Sequence, residues 1–347
     1  MLRASTSMRQ SRLPAVAVLA MALAMPATAR SITLHVSNTG TDGPTCGGAT
    51  PCRSIGTAVA NAVAGDTIMV GPGLYSADLD RDGSRSEPGE EPVLLVIDKA
   101  VTILSSFGAS STVIEGAGIN IATSNVTFGK LNAGFTISTV NNPLLITGAT
   151  PSLANVRVAG NVIVEDDPQG ATAVIWFQAG GRFENNRVVS QRGCNQGVSL
   201  LNVPASTVVT HNAVQGCATG FFTQDAPGAR LVSNTAVGNG FATPDGIGFD
   251  LHGNVAEVSS NVAIGNATGA RVTTAIPIFQ KNAFAGSVSG CGVTNVSGTT
   301  LNAANNWWGS PAGPSDAFDV ACNLSGSTTI TSPFLTTDPS QQQAALR

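Results

Sequence analysis

"CNQGVSLLNVPASTVVTHNAVQGCATGFFTQ", residues 194–224, says the same thing twice. A cysteine stands three residues before a glycine at Cys194/Gly197 and again at Cys217/Gly220, and each glycine opens a short apolar run. The first and third places after the glycine are Val198/Leu200 in one run and Phe221/Thr223 in the other, with Thr223 the only polar residue among them. Alternate residues of a strand face opposite ways, so these places form an inward face and the intervening ones an outward face. Between the runs lies "NAVQ", an asparagine followed by another strand-like word.

Both markers recur along the chain. Gly170, Gly246 and Gly269 precede similar runs, with Ala171/Ala173, Ile247/Phe249 and Ala270/Val272 at the inward places. Asparagines open short apolar words at Asn125, Asn155, Asn186, Asn212, Asn234, Asn261, Asn282 and Asn306, at intervals of 30, 31, 26, 22, 27, 21 and 24 residues. From Gly116 on helical periodicity is absent, and the interval suits one turn of a solenoid whose core grows in one dimension. An asparagine tolerates the unusual backbone angles of a turn, and coils stacked at roughly 4.8 Å place each one against its counterpart in the next coil, where the amides can bond in a ladder. The same stacking brings Cys194 and Cys217 within disulfide reach. Cys46 with Cys52, and Cys291 with Cys322, pair by proximity.

The bulk numbers agree with a long core. Hydrophobic residues make up 42% of the 347 and charged residues only 11%, a balance opposed to disorder despite 39 glycines. Residues 1–29 read as a secretory signal: Arg3, Arg9 and Arg12, an apolar run from Leu13 to Met25, then Ala27-Thr28-Ala29. That run is shorter than the roughly 20 residues a spanning helix needs, so a chain that does not span a membrane is expected. Six cysteines after the signal fit an exported, disulfide-bonded protein, extracellular or periplasmic. The net charge of −4 becomes −7 when the three arginines are removed, which opposes a nucleic-acid partner.

The expected organisation is a signal at 1–29, a solenoid over 30–335 and a flexible tail at 336–347. Ile55, Val59 and Ala62/Val63 recur at helical spacing, with Gly65 as the stop, and predict a short helix capping the N-terminal end. Trp307 and Trp308 fall in the last asparagine word and suit a closing role at the other end.

Two stretches concentrate chemistry. "SADLDRDGSRSEPGEEP", residues 76–92, reads as an acidic insertion whose Asp78, Asp80, Asp82 and Gly83 match the first half of a calcium loop. Glu87, Glu90 or Glu91 would have to close the shell, because the usual closing position is Gly89. Calcium is the expected cofactor, with Asp78, Asp80, Asp82 and Glu87 as ligands; a solvated acidic insertion is the alternative. "DGIGFDLHG", residues 245–253, places Asp245 in the turn and Asp250 on the outer face, with Arg271 one coil later and Gln224 and Asp225 one coil earlier. Asp225, Asp250, His252 and Arg271 are the candidate catalytic set, with Phe222 and Gln224 as sugar contacts. A solvent-exposed Asp250–Arg271 ion pair is the competing reading.

The N-terminal "PCRSIGTAVANAVAGDTIMVGPGLY", the asparagine words and the closing "NNWWGSPAGPS" resemble the bacterial right-handed parallel β-helix proteins of the pectin-lyase-like superfamily. The resemblance spans roughly residues 33–335 and implies an all-β right-handed parallel β-helix, a monomer and a polysaccharide or cell-envelope glycan partner. It does not choose between a polysaccharide lyase or glycoside hydrolase and a non-catalytic surface or adhesion protein. Against the polygalacturonase pattern, Asn234-Thr235-Ala236 has alanine where a carboxylate belongs. Asp166-Asp167 stand out of order, His252-Gly253 matches, and Arg271-Val272-Thr273 lacks the lysine. The paired arginines of pectate lyases are missing. Copper is disfavoured, since after the signal the only methionine is Met69.

Overall fold

The computed structural model describes residues 31–85, 87–139, 144–146, 153–165, 173–240, 246–315 and 319–341. The proposed signal, Asp166-Asp167, Gly170, Ala171, Asp245 and the end of the tail lie outside the described residues. The described strands pair in parallel into a ten-stranded sheet, a seventeen-stranded sheet and a two-stranded sheet near the C-terminus. One coil shows how a turn is built. Val208–Thr210 belongs to the ten-stranded sheet. Ala213–Gln224 then bends at Gly216 (φ 86°), and its first half pairs with Thr235–Val237 while its second pairs with Ile247–Leu251. Successive coils repeat this path, so strands distant in sequence become neighbours.

An asparagine ladder runs through the buried interior of the turns. Nδ2 donates to the next coil's Oδ1 from Asn161 to Asn186, Asn212, Asn234, Asn261, Asn282 and Asn306, at 3.0–3.1 Å throughout. The backbone N–H of each also donates to the next side-chain oxygen, as from Asn234 to Asn261 at 2.9 Å. Two expectations need correction. Asn125 and Asn155 pair only with each other on the exposed surface, and Asn161 heads the ladder. Nor does the ladder asparagine hold the unusual backbone angle. The residue before it does: Asn185, His211, Ser233, Ser260, Lys281 and Asn305 all have φ between 55° and 59°. That left-handed residue turns the chain and frees the asparagine to point inward.

The inward face is as the alternation predicts, with Val198, Leu200, Phe221, Phe249, Leu251, Ala270 and Val272 buried. Phe221 and Phe249 stack with ring centres 5.0 Å apart. Burying each such ring contributes roughly 1.5–3 kcal/mol. Thr223, the polar exception, is buried, and its hydroxyl donates to His252 O and accepts from His252 N, both at 3.1 Å.

The glycine register holds for Gly197/Gly220 but shifts by two at the next coil, where Phe221 pairs with Phe249 rather than Ile247. The true column is Gly197, Gly220, Gly248, Gly269 and Gly292. A Cβ on Gly220, Gly248 or Gly269 would lie within 2.6 Å of the next glycine's carbonyl oxygen. Gly246 was the wrong marker because two glycines flank Ile247 and only Gly248 meets this close approach. The Gly170 word is likewise displaced, since Ile175, not Ala171, pairs with Val198.

The ends close as the sequence implies. The N-terminal helix, Ile55–Asn61, buries Ile55, Ala58 and Val59 against the first coils. It stops four residues before Gly65, and Val63 is exposed. Trp308 is fully buried beside Phe284, and Trp307 packs with Val262, Ala283 and Leu335. All three expected disulfides form: Cys46–Cys52, Cys194–Cys217 and Cys291–Cys322. Cys194 and Cys217 are direct cross-strand partners with Cα atoms 4.4 Å apart.

Candidate functional site

The corrected register decides what the outward face brings together. One column reads Trp176, Ser199, Phe222, Asp250, Arg271 and Thr294, each the parallel-strand partner of the next. A two-residue shift keeps every side chain on the side expected of it, because strand periodicity is two. It does change neighbours: Asp250 faces Phe222 on one coil and Arg271 on the other.

Arg271 Nε donates to Asp250 Oδ1 at 2.8 Å and Nη2 to Oδ2 at 2.5 Å, a forked pair. Asp250 is buried, whereas the arginine side chain is 40% exposed, so the pair is more than the open surface contact of the competing reading. The hydrogen bonds to Asp250, with its charge, hold the guanidinium pKa above its usual value against the opposing effect of burial.

His252 lies two residues beyond Asp250 on the same face. Its Nε2 sits 2.9 Å from Asp250 Oδ1 without the direction that a hydrogen bond requires. Phe222 packs beside the histidine ring, centres 5.3 Å apart and tilted by 42°. Thr223 pins the His252 backbone from within. The strand, the interior hydroxyl and the neighbouring coil thus position this imidazole together.

Gln224 and Asp225 do not flank Asp250. Both are exposed, and Asp225 lies against Gly253 in the turn beyond the strand, its own φ at 50°. There it lines a shallow depression with Asn202, Pro204 and Asn254. Asp225 and Asp250 are therefore not the facing carboxylates that the sequence spacing suggested. Trp176 was overlooked at the sequence level. Its ring is half-buried on the Phe222 column, and its Nε1 is buried with no hydrogen-bond partner. The "AVIWF" alternation, read from Ile175 rather than from Gly170, is the signal that places it.

In the acidic insertion, Asp78, Asp80 and Asp82 each offer a carboxylate oxygen within 4.8 Å of the others. Asp78 Oδ1 is buried without a partner. Glu87 stands outside this set in open solvent, its pKa raised first by the negative charge of Asp82. Glu90 instead accepts from the backbone of Leu79 and Glu87, holding the loop closed. Glu91 is buried at the helix start, accepting from Ile55 N at 2.5 Å and Gly56 N at 3.0 Å. Burial raises its pKa to about 7 despite those hydrogen bonds. Two of the three candidate closing glutamates therefore serve the fold. Clustered carboxylate oxygens are the donor type that a hard cation takes.

No protein-family model and no curated protein matches the sequence. Among solved structures, pectate lyase Pel9A superposes with a TM-score of 0.51 at 14% identity, covering 88% of this chain and 78% of that one. A rhamnogalacturonan lyase matches with a TM-score of 0.40 at 16% identity, covering 79% and 74%. Together with the parallel coils, the asparagine ladder and the capping helix, the Pel9A superposition shows that the chain has the right-handed parallel β-helix fold.

Proposed function

We propose that this protein is exported and binds an extracellular or cell-envelope polysaccharide along the outward column of its seventeen-stranded sheet. The observation that supports this best is the convergence of Phe222, Asp250, His252 and Arg271 on adjacent coils, with aromatic and polar groups side by side. Such a surface offers ring faces for sugar C–H groups and directed polar atoms for hydroxyls. Three disulfides support export.

Binding is favoured over cleavage. A two-carboxylate mechanism needs both groups beside one glycosidic bond, whereas Asp250 has both oxygens engaged by Arg271 and Asp225 occupies the turn beyond. If bonds are broken, His252 against Asp250 is the group placed to move a proton. A screen on uronic-acid and neutral polysaccharides, reading retention, unsaturated products and new reducing ends, tests the proposal. Retention without product supports a binding protein, and product supports an enzyme. Failure of both leaves a non-catalytic surface or adhesion protein that only presents loops.

We infer separately that the insertion at 76–92 takes calcium at Asp78, Asp80 and Asp82. The carboxylate clustering and the unpartnered Asp78 oxygen support this reading.

A further inference from the structure

Resting on the glycan-binding reading, we propose that the outward column takes a neutral polysaccharide laid along the solenoid axis, with Trp176 and Phe222 as stacking platforms, and not a uronate polymer.

The argument is one of charge. From Trp176 to Thr294 the column holds two charged residues, Asp250 and Arg271, and each neutralises the other through a forked contact. The next outward positions on these strands are Leu201, Gln224, His252 and Thr273, with no lysine or arginine among them. A uronate polymer presents a carboxylate on every sugar, and each one brought against this surface would lose water without gaining a cation. The exposed Asp225 and the chain's net charge of −4 add repulsion.

What the column does offer suits uncharged sugars. Trp176 and Phe222 are half-buried rings two coils apart, about 10 Å at a spacing of roughly 4.8 Å per coil, and Ser199 is buried between them. Aromatic faces stack on the C–H face of a pyranose without regard to charge. The exposed parts of the Trp176 and Phe222 side chains are ring carbon, since Trp176 Nε1 is buried without a hydrogen-bond partner.

The test uses the full chain in affinity electrophoresis and tryptophan fluorescence. Arabinoxylan, xyloglucan, β-1,4-galactan and mixed-linkage β-glucan are the neutral probes; polygalacturonate and alginate are the acidic ones. The proposal expects retention on a neutral polymer, little changed by salt, and none on the acidic pair. It also expects Trp176→Phe to abolish most of the fluorescence response, and Trp176→Ala to weaken binding roughly tenfold or more. Phe107→Ala, at an exposed site elsewhere, should leave binding unchanged. Salt-sensitive retention on polygalacturonate or alginate, lost in Arg271→Gln, overturns the neutral class while leaving glycan binding intact. Retention on a neutral polymer that both Trp176 variants keep unchanged overturns the location. No retention on any probe removes the underlying glycan-binding reading as well.

Discussion

Asp250 and Arg271, 21 residues apart in sequence, are cross-strand partners on adjacent coils, and the guanidinium holds both carboxylate oxygens. Removing the arginine leaves a buried carboxylate without its cation. Arg271→Ala should therefore destabilise the protein by roughly 1–3 kcal/mol, less than a fully buried pair because the arginine is partly exposed. Arg271→Lys should recover only part, since an ammonium cannot fork across both oxygens. Midpoints of chemical denaturation measure both. The double variant Asp250→Asn/Arg271→Met should lie nearer wild type than Arg271→Ala does; equal loss would mean that the uncompensated charge is not the cause.

The stacked glycines give a sharper expectation. A Cβ on Gly248 would lie 2.5 Å from Gly269 O and 3.0 Å from Asn266 Nδ2, which is held by its hydrogen bond to Ala236 O. Gly248→Ala should destabilise by about 3 kcal/mol or more. Gly43→Ala and Gly48→Ala, with nothing within 4 Å of the added carbon, should stay within about 0.5 kcal/mol of wild type. Thermal melts of the three variants decide whether coil spacing sets the requirement for glycine.

Asn234 sits mid-ladder. Its amide donates to Asn261 Oδ1 and Val209 O, and its oxygen accepts from Asn212 N and Nδ2. Asn234→Ala strands partners on both neighbouring coils and should destabilise by roughly 2–4 kcal/mol. Asn155→Ala, which removes an exposed pair, should change stability by less than about 1 kcal/mol. Hydrogen exchange should show the loss of protection spreading to the adjacent coils in the first variant only.

Glu91 links stability to pH. Its folded pKa of about 7 lies above the ordinary 4.5, so the folded state binds the extra proton. Its stabilising contribution is complete below pH 4.5 and falls as pH rises to 7 and beyond, by on the order of 3 kcal/mol. Glu184 acts in the opposite direction: hydrogen bonds from Arg182 and Arg157 outweigh burial and lower its pKa, so its contribution is lost on acidification. Glu91→Gln should flatten the fall of melting temperature between about pH 5 and 7 while leaving the acid limb unchanged. An unaltered slope would contradict the assignment.

Calcium titration of the wild type by calorimetry should give a saturable signal in the micromolar to millimolar range. Asp80→Asn and Asp82→Asn should each weaken it, whereas Glu87→Gln should not, since Glu87 stands outside the carboxylate set. A featureless titration at millimolar calcium would leave the insertion a solvated acidic loop.

Much of this was legible along the chain. Residues 194–224 contain two successive coils, so the Cys194–Cys217 bridge and the inward faces of Val198, Leu200 and Phe221 follow from strand alternation and one correctly aligned glycine pair. The helix was readable because Ile55 and Val59 recur at helical spacing, and both are buried on its inner face. The site was less legible. In "DGIGFDLHG" Gly246 and Gly248 are equally good strand openers by local preference, and nothing within nine residues distinguishes them. Trp176 was hidden behind the same kind of misaligned glycine.

The sequence by itself determined the solenoid and which residues face in or out, because sidedness depends only on the two-residue period of a strand and survives a shift by two. Which side chains touch across coils was decided by the tertiary structure alone. Register between coils is set where neighbouring backbones come too close for a Cβ, at Gly220, Gly248 and Gly269. That fit placed Asp250 against Arg271 and Phe222, and left Asp225 in the turn beyond.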